Sequence, residues 1–476
     1  MYKRFEKIHF VGIGGVGMSG IAEVLKNIGY KVGGSDLKES ETVSRLRDLG
    51  ITVNIGHRAE NIKGADVVVV SSAVSADNPE VEAARKLSIP VIPRAEMLAE
   101  LARLKYGILV AGAHGKTTTT SLVASILGEG AFDPTVVIGG KLKGMGSNAR
   151  FGRGEFLVAE ADESDGSFLK LSPTIAVVTN IDREHLDFFR DIGAIKEAFL
   201  SFINKVPFYG LSIVCGDNEH IRELLPKVRR RFITYGLSEG LDLIARNIKI
   251  SGFRSEFEAV LNNKTLGKFE VPLIGVHNVC NSLAAIAVAK ELGMDMESIR
   301  AALRNFSGVQ RRFELKGTVS GIQVVDDYGH HPSEIMATLK AVKAAVHQGT
   351  KGRLVVLFQP HRYTRTRDLL GEFIDSFADA DKVILLDIYP AGEKPLPGVD
   401  SGLLARGIKA TGRDVVYIQN RDEVLDHLSS ELAGADTLLT LGAGDVWKLG
   451  EEFLMRKPGP GKSAAGAKNK RKKAKA

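Results

Sequence analysis

The chain has 476 residues, 44% of them hydrophobic and 25% charged, a globular composition large enough for two to four domains. The formal net charge is +7, but the last 20 residues hold eight Lys or Arg and no acid; the remainder carries −1, and no nucleic-acid partner is expected. No apolar run reaches the length of a bilayer span and no leader pattern opens the chain, so a cytoplasmic protein without membrane insertion is expected.

From residue 8, IHFVGIG, a helix to about Asn27, YKVGGSD, a helix to about Leu49, ADVVVVSS and a helix ending near Leu87 alternate as a βαβ series, the pattern of an open parallel sheet. VGIGGVGMSG fits G-x-G-x-x-G at Gly12, Gly14 and Gly17, with Gly15 between, and Asp36 follows the second strand 19 residues past Gly17. Such a turn offers backbone N–H groups to a diphosphate and a carboxylate to a ribose hydroxyl. NAD is the first candidate; any diphosphate nucleotide, a nucleotide sugar included, would be served equally.

A second series starts at Tyr106 and continues through FLVAEADE, IAVVTN and LSIVCGDN. Its first turn, Gly112-Ala113-His114-Gly115-Lys116-Thr117-Thr118, lies between a strand and an apolar helix, as in a phosphate-binding loop. Lys116 would reach the outer phosphates and the Thr117 hydroxyl a magnesium ion. The strict pattern GxxxxGK[ST] fails, because Val110 stands where it requires glycine. Glu160, at the end of FLVAE, is where a parallel sheet places a carboxylate for phosphate-bound magnesium. Asp162, Glu163 and Asp165 read at least as well as a solvated acidic loop. His185, beyond the IAVVTN strand, is by itself an ordinary histidine, since magnesium seldom takes imidazole.

Residues 231–273 lose the helical period and suggest a small antiparallel β appendage on the second sheet. In the helix that follows, Asn278 and Asn281 share a face at i and i+3, suited either to an adenine edge or, for Asn278, to helix capping. Cys215 and Cys280 are too few for a disulfide framework and lack metal-ligand spacing.

A third alternation follows Arg311 and Arg312: GIQVVDDY, RLVVLFQ, KVILLDIY, DVVYI and TLLTLGAG. Asp327, Tyr328, His330 and His331 follow its first strand; His361, Arg362, Arg365 and Arg367 follow its second. Cations beyond consecutive strand ends gather anionic groups, or form a solvated basic rim. The two adjacent histidines lack a third ligand at zinc spacing. The expectation is an α/β protein with Rossmann-like parallel sheets and a central P-loop ATPase domain: domains at 1–105, 106–312 and 313–455, then a disordered basic tail at 456–476.

Taken in order, GIGGVGMSGIAEVL, GHRAENI, SSAVSADNPE, AGAHGKTTTT, AEADESDGSF, TNIDREHLDFF, GVHNVCNSLAA, GVQRRFE, VDDYGHHPSE, FQPHRYTRTRDL and LGAGDVW resemble the Mur ligase family from about residue 8 to 450. The resemblance implies an ATP-dependent ligase that joins L-alanine to the lactyl carboxylate of UDP-N-acetylmuramate through an acyl phosphate in peptidoglycan precursor synthesis, as a monomer or homodimer. It implies ATP with magnesium, or manganese in its place. Lys116 would hold ATP phosphates, Thr117 and Glu160 one metal ion, and His185 a second. Asn278 and Asn281 would lie near adenine, and Arg312 and Asp327 would reach the nucleotide. Tyr328, His330, Arg362 and Arg365 would line the muramate and amino-acid end; Gly14, Gly15 and Asp36 belong to the UDP region. Ala113 stands where the family loop often has threonine or serine, and Gly33 where related versions have serine. Competing readings are a recycling ligase that adds a tripeptide to the same nucleotide sugar, a NAD-dependent oxidoreductase, and a non-catalytic nucleotide-binding assembly factor.

Overall fold

The computed structural model describes residues 6–71, 73–140, 148–184, 188–346 and 352–456. His185 and the basic tail from Lys457 lie outside them. The chain divides into two compact units, with the break after Gln310.

The first unit holds two sheets. Strands β1 (Lys7–Val11), β2 (Lys31–Asp36), β3 (Thr52–Ile55), β4 (Val67–Val70) and β5 (Val91–Pro93) form an all-parallel sheet in the order β3-β2-β1-β4-β5. The order reverses at β1, and the turn leaving a strand at such a switch point is where an open α/β sheet places its ligand crevice. In β1, Phe10 and Val11 are fully buried, as a strand covered on both faces requires.

The second sheet contains β6 (Tyr106–Ala111), β7 (Thr135–Val137), β8 (Ala149–Arg150), β9 (Phe156–Glu160), β10 (Ile175–Val178), β11 (Leu211–Cys215), β12 (Phe232–Gly236), β13 (Leu243–Ser251), β14 (Arg254–Leu261) and β15 (Lys264–Val271). Its order is β15-β14-β13-β12-β11-β10-β6-β9-β7-β8. The appendage expected over 231–273 is narrower than the sequence suggested: β12 pairs parallel with β11, and only β13, β14 and β15 run antiparallel. Val110 is fully buried inside β6, opposite Val177 and Glu160. The strand therefore continues past the point where the strict loop pattern would begin, and the turn is confined to residues 112–115.

The second unit carries β16 (Glu314–Val319), β17 (Ile322–Asp327), β18 (Leu354–Phe358), β19 (Lys382–Leu385), β20 (Val415–Tyr417) and β21 (Thr437–Leu441), in the order β16-β17-β21-β18-β19-β20. Five of these are apolar runs in the sequence; β16, ELKGTV, is an antiparallel edge strand without such a run.

Candidate active site

The turn after β6 is shaped by two glycines in the left-handed region, Gly112 at φ 137° and Gly115 at φ 81°. A Cβ on Gly112 would lie 2.1 Å from Thr179 Oγ1, and one on Gly115 would lie 2.7 Å from Asn281 Oδ1. Gly115 caps the helix Lys116–Glu129 with no side-chain hydrogen bond. The helix therefore opens with its backbone N–H groups directed at the turn, the arrangement that favours phosphate oxygens.

Lys116 folds back over this turn. Its Nζ donates to the carbonyl oxygens of Gly112 at 2.6 Å and Ala113 at 3.2 Å, and to Glu163 Oε1 and Oε2 at 2.7 and 3.0 Å. Burial alone would lower the Lys116 pKa, but the carboxylates of Glu163 and Asp162 outweigh it and hold the ammonium above its usual range. Glu163 corrects the sequence reading: it is buried at 2% exposure, an internal counter-ion rather than part of a solvated loop. Asp162 is pushed up by burial and pulled down further by Lys116, for a net lowering, and it faces Arg94 at 3.6 Å.

The loop after β10 clasps the turn from the other side. His114 N–H donates to Asn180 Oδ1 at 2.8 Å, while Thr179 Oγ1 and Asn180 Nδ2 donate to the His114 carbonyl at 2.6 and 3.0 Å. His114 Nε2 lies 3.1 Å from Asp182. Ala113 is held by its backbone, N–H to the Asn180 carbonyl at 3.3 Å, so a hydroxyl at this position is not needed to shape the turn.

Glu160, at the end of β9, accepts from the Gly139 N–H at 2.6 Å. Cβ atoms built on Gly139 and Gly140 would come 3.0 Å from Glu160 Oε2 and Thr117 Cγ2 respectively, so the two residues flank this glycine pair. A carboxylate and a hydroxyl are hard oxygen donors, the type magnesium takes, and the residues present fit that ion. Asn278 and Asn281 are buried on the helix Val276–Glu291, whose cap is Gly275. Asn278 does not cap: its Nδ2 donates to the Ile274 carbonyl at 2.8 Å and its Oδ1 accepts from Asn281 Nδ2 at 3.0 Å. Asn281 Oδ1 in turn accepts from Thr119 Oγ1 at 3.1 Å, which ties this helix to the threonine-rich helix.

At the first sheet, Asp36 accepts from the Gly14 N–H at 2.8 Å, and the Ser35 carbonyl accepts from Gly12 and Ile13 at 2.9 and 3.0 Å. Gly15 caps the helix Val16–Ile28.

In the second unit, the ends of β17, β18 and β21 bring a separate group together. Asp327 accepts from the N–H groups of Phe313 and Gly329 at 2.7 and 2.8 Å, and burial raises its pKa to about 6 against the pull of Arg312. Arg312 stacks over Tyr328 at 5.2 Å and faces Glu334 at 3.7 Å. Arg311 donates to Asp326 at 3.0 Å. The rings of Tyr328, His330, His361 and Tyr389 follow one another at centroid spacings of 5.4, 5.6 and 5.6 Å. Burial lowers His330 to about 3 and His361 to about 4, so both imidazoles are neutral at physiological pH. Arg365 Nη1 approaches His361 Nδ1 at 3.3 Å, and Arg362 Nε donates to Glu393 at 2.7 Å. Arg362 has φ 72°, a strained conformation for a non-glycine residue.

Three family models match in chain order: the Mur ligase family catalytic domain over residues 7–106, the Mur ligase middle domain over 110–289 and the Mur ligase glutamate ligase domain over 311–444. The chain belongs to the Mur ligase family. This Mur ligase is 59% identical over 457 residues to the UDP-N-acetylmuramate–L-alanine ligase of Geobacter sp. strain M21, covering 96% of this chain and 98% of that one. The crystal structure of UDP-N-acetylmuramate-alanine ligase from Thermotoga maritima superposes with a TM-score of 0.80 at 30% identity, covering 94% of this chain and 98% of that chain. A murein peptide ligase from Psychrobacter arcticus gives a TM-score of 0.68 at 24% identity, over 94% of this chain and 98% of that chain, a likeness of fold.

Sequence reasoning named His361 with the arginines of its segment but did not find Thr179, Asn180, Tyr389 and Glu393 as partners of the site residues, nor the pairing of Glu163 with Lys116. Thr179 and Asn180 carry a usable signal, since they directly follow β10, which pairs with β6, and so lie beside the turn.

Proposed function

We propose that this chain is an ATP-dependent ligase that joins L-alanine to the lactyl carboxylate of UDP-N-acetylmuramate, releasing ADP and phosphate, in peptidoglycan precursor synthesis. The observation that carries this reading is the Lys116 turn, closed by Glu163 and flanked by Glu160, in a chain that matches a ligase of that name at 59% identity over 96% of its length. The tripeptide-adding alternative has weaker support: a UDP-N-acetylmuramate:L-alanyl-gamma-D-glutamyl-meso-diaminopimelate ligase is 33% identical over 64% of this chain, against 59% over 96% for the L-alanine ligase.

A carboxylate does not form an amide in water unless its oxygen is made a leaving group. The γ-phosphoryl of ATP passes to the lactyl carboxylate to give an acyl phosphate; the alanine amine then attacks, and phosphate departs with the oxygen. Lys116 leaves Glu163 to bind the outer phosphates, and the N–H groups at the start of its helix hold the remaining oxygens. Thr117 and Glu160 would hold magnesium, or manganese, which when bound offsets polyphosphate charge; His185 is proposed for a second ion. Asn278 and Asn281 would meet adenine, and Arg312 and Asp327 are proposed as further nucleotide ligands.

Neutral His330, with Nδ1 3.0 Å from the Tyr328 carbonyl and therefore protonated there, keeps Nε2 as an acceptor for the amino-acid ammonium. Tyr328, Arg362 and Arg365 supply the ring and guanidinium groups for the muramate and amino-acid carboxylates. Gly14, Gly15 and Asp36 shape the UDP end, and the 1–105, 106–312 and 313–455 boundaries assign one substrate to each domain. No helix among the described residues is long and apolar enough to cross a membrane. A cytoplasmic location is part of the proposal, argued from the water solubility of ATP and UDP-N-acetylmuramate.

The test is mass detection of product from ATP, UDP-N-acetylmuramate and a mixture of amino acids and tripeptide. UDP-N-acetylmuramoyl-alanine is expected; formation of the tripeptide adduct alone would overturn the assignment.

A further inference from the structure

Behind the first sheet lies a fully buried carboxylate that none of the steps above uses. Glu80 is in the first turn of the helix Pro79–Lys86, where its own N–H is taken by the cap residue Asn78 at 2.9 Å, but its side chain turns inward to 0% exposure. One carboxylate oxygen accepts from the Ser35 hydroxyl at 2.7 Å and lies 2.8 Å from His9 Nε2. The other accepts from Asn61 Nδ2 at 2.6 Å and from the Arg58 N–H at 3.2 Å, with His57 Nδ1 at 3.4 Å. Because Ser35 donates its proton to Glu80, it offers only a lone pair to His57 Nδ1, 3.0 Å away, and that nitrogen carries the ring proton.

Burying an ion at a position that an apolar side chain could fill is costly unless every lone pair is used. Here they are used, and the partners share a location. The Ser35 carbonyl holds Gly12 and Ile13, and the next residue, Asp36, holds Gly14 and through its own carbonyl the Gly56 N–H at 2.8 Å. Asn61 Nδ2 also donates to the Gly56 carbonyl at 3.0 Å. One carboxylate therefore grips residue 35, which sets the 12–14 turn, and residues 58 and 61, which set the segment after β3.

We propose that Glu80 is a positioning residue for the nucleotide-sugar half of the reaction, fixing through Ser35, Asn61 and the Arg58 amide the two loops, 12–15 and 56–61, that rim the first sheet. The inference rests on the reading that this sheet holds UDP-N-acetylmuramate. Glu80→Gln keeps the shape, but whichever way its amide turns, one acceptor oxygen is replaced by an NH2 group, facing either Ser35 and His9 or the donors Asn61 Nδ2 and Arg58 N–H. Ser35→Ala is the milder variant, removing a single link.

Steady-state kinetics of the full chain is the test, with Val68→Ala, a buried truncation in β4, as a control for lost stability alone. For Glu80→Gln, the KM for UDP-N-acetylmuramate is expected to rise about tenfold, with kcat and the KM for ATP within about twofold; Ser35→Ala should give a smaller rise of the same pattern. An unmoved sugar KM in both variants overturns the proposal, as does an equal rise in the ATP KM or an equal effect from Val68→Ala. Wild-type enzyme that does not turn over UDP-N-acetylmuramate would instead overturn the substrate reading itself.

Discussion

Removing the Lys116 ammonium has two effects that can be separated. Turnover in Lys116→Ala should fall by about a hundredfold or more, because the charge opposing two approaching anions is gone, while UDP-sugar binding stays intact. Stability should also fall, on the order of 3 kcal/mol, because Glu163 is left buried without its counter-ion. Adding Glu163→Gln to Lys116→Ala should restore most of the unfolding midpoint and none of the ligation. A double variant as unstable as the single one would count against the internal ion pair. Asp327 offers a pH test. Its pKa is raised from 3.8 to about 6, so between these values the folded state keeps a proton that the unfolded chain has lost. The Asp327 contribution to stability therefore declines as pH rises through that window, by about 3 kcal/mol at most, while the buried neutral His330 and His361 act in the opposite sense below about pH 6.5. The stability difference between wild type and Asp327→Asn should shrink as pH rises from 4.5 to 6.5, and a difference independent of pH would refute the assignment.

At the scale of elements, the contact between the Lys116–Glu129 helix and the Val276–Glu291 helix passes through Gly115 and Asn281. Gly115→Ala adds a methyl 2.7 Å from Asn281 Oδ1 at a φ of 81°. About 1–3 kcal/mol of strain is expected, with a raised KM for ATP and an unaltered KM for the nucleotide sugar. Parallel strands such as β6, β10 and β18 were legible because both faces are covered and the sequence runs apolar without interruption. Strands β7, β8 and β16 were not: two are only two or three residues long, and the third is a half-exposed edge containing Gly317. The glycine turns and Lys116 were legible because they depend on local backbone chemistry. The role of Glu163 was not, since an acid among acids looks solvated until long-range packing encloses it beside Lys116. Asn278 shows the same limit: the i, i+3 spacing with Asn281 was visible, but which partner each amide takes depends on Thr119, 162 residues away.

At the scale of the whole molecule, two buried carboxylates with opposite shifts lie in different compact units. Glu80, in the first, is pushed up by burial but pulled down further by His9, Asn61 and Ser35, from 4.5 to about 2. Its contribution is fully present above about pH 4.5 and is lost as pH falls toward 2. Asp327, in the second, acts in the other direction between 3.8 and about 6. Calorimetry should therefore resolve two transitions: from pH 7 to 5 the second unit's midpoint falls, because the buried neutral imidazoles of His330 and His361 outweigh Asp327, while the first stays level, and below pH 4.5 the first descends. A single transition shifting uniformly would contradict the division after Gln310 as a thermodynamic boundary.

The carboxylate that occupies Lys116 at rest also sets an admission threshold. A tethered anion is always present at high local concentration, so an incoming group must displace it with several charged oxygens at once. A triphosphate does so; a solitary inorganic phosphate meets a cradle already neutralised from within. The same competition favours clearance of spent phosphate after each turnover, and the enzyme is expected to resist inhibition by millimolar phosphate while remaining sensitive to tripolyphosphate.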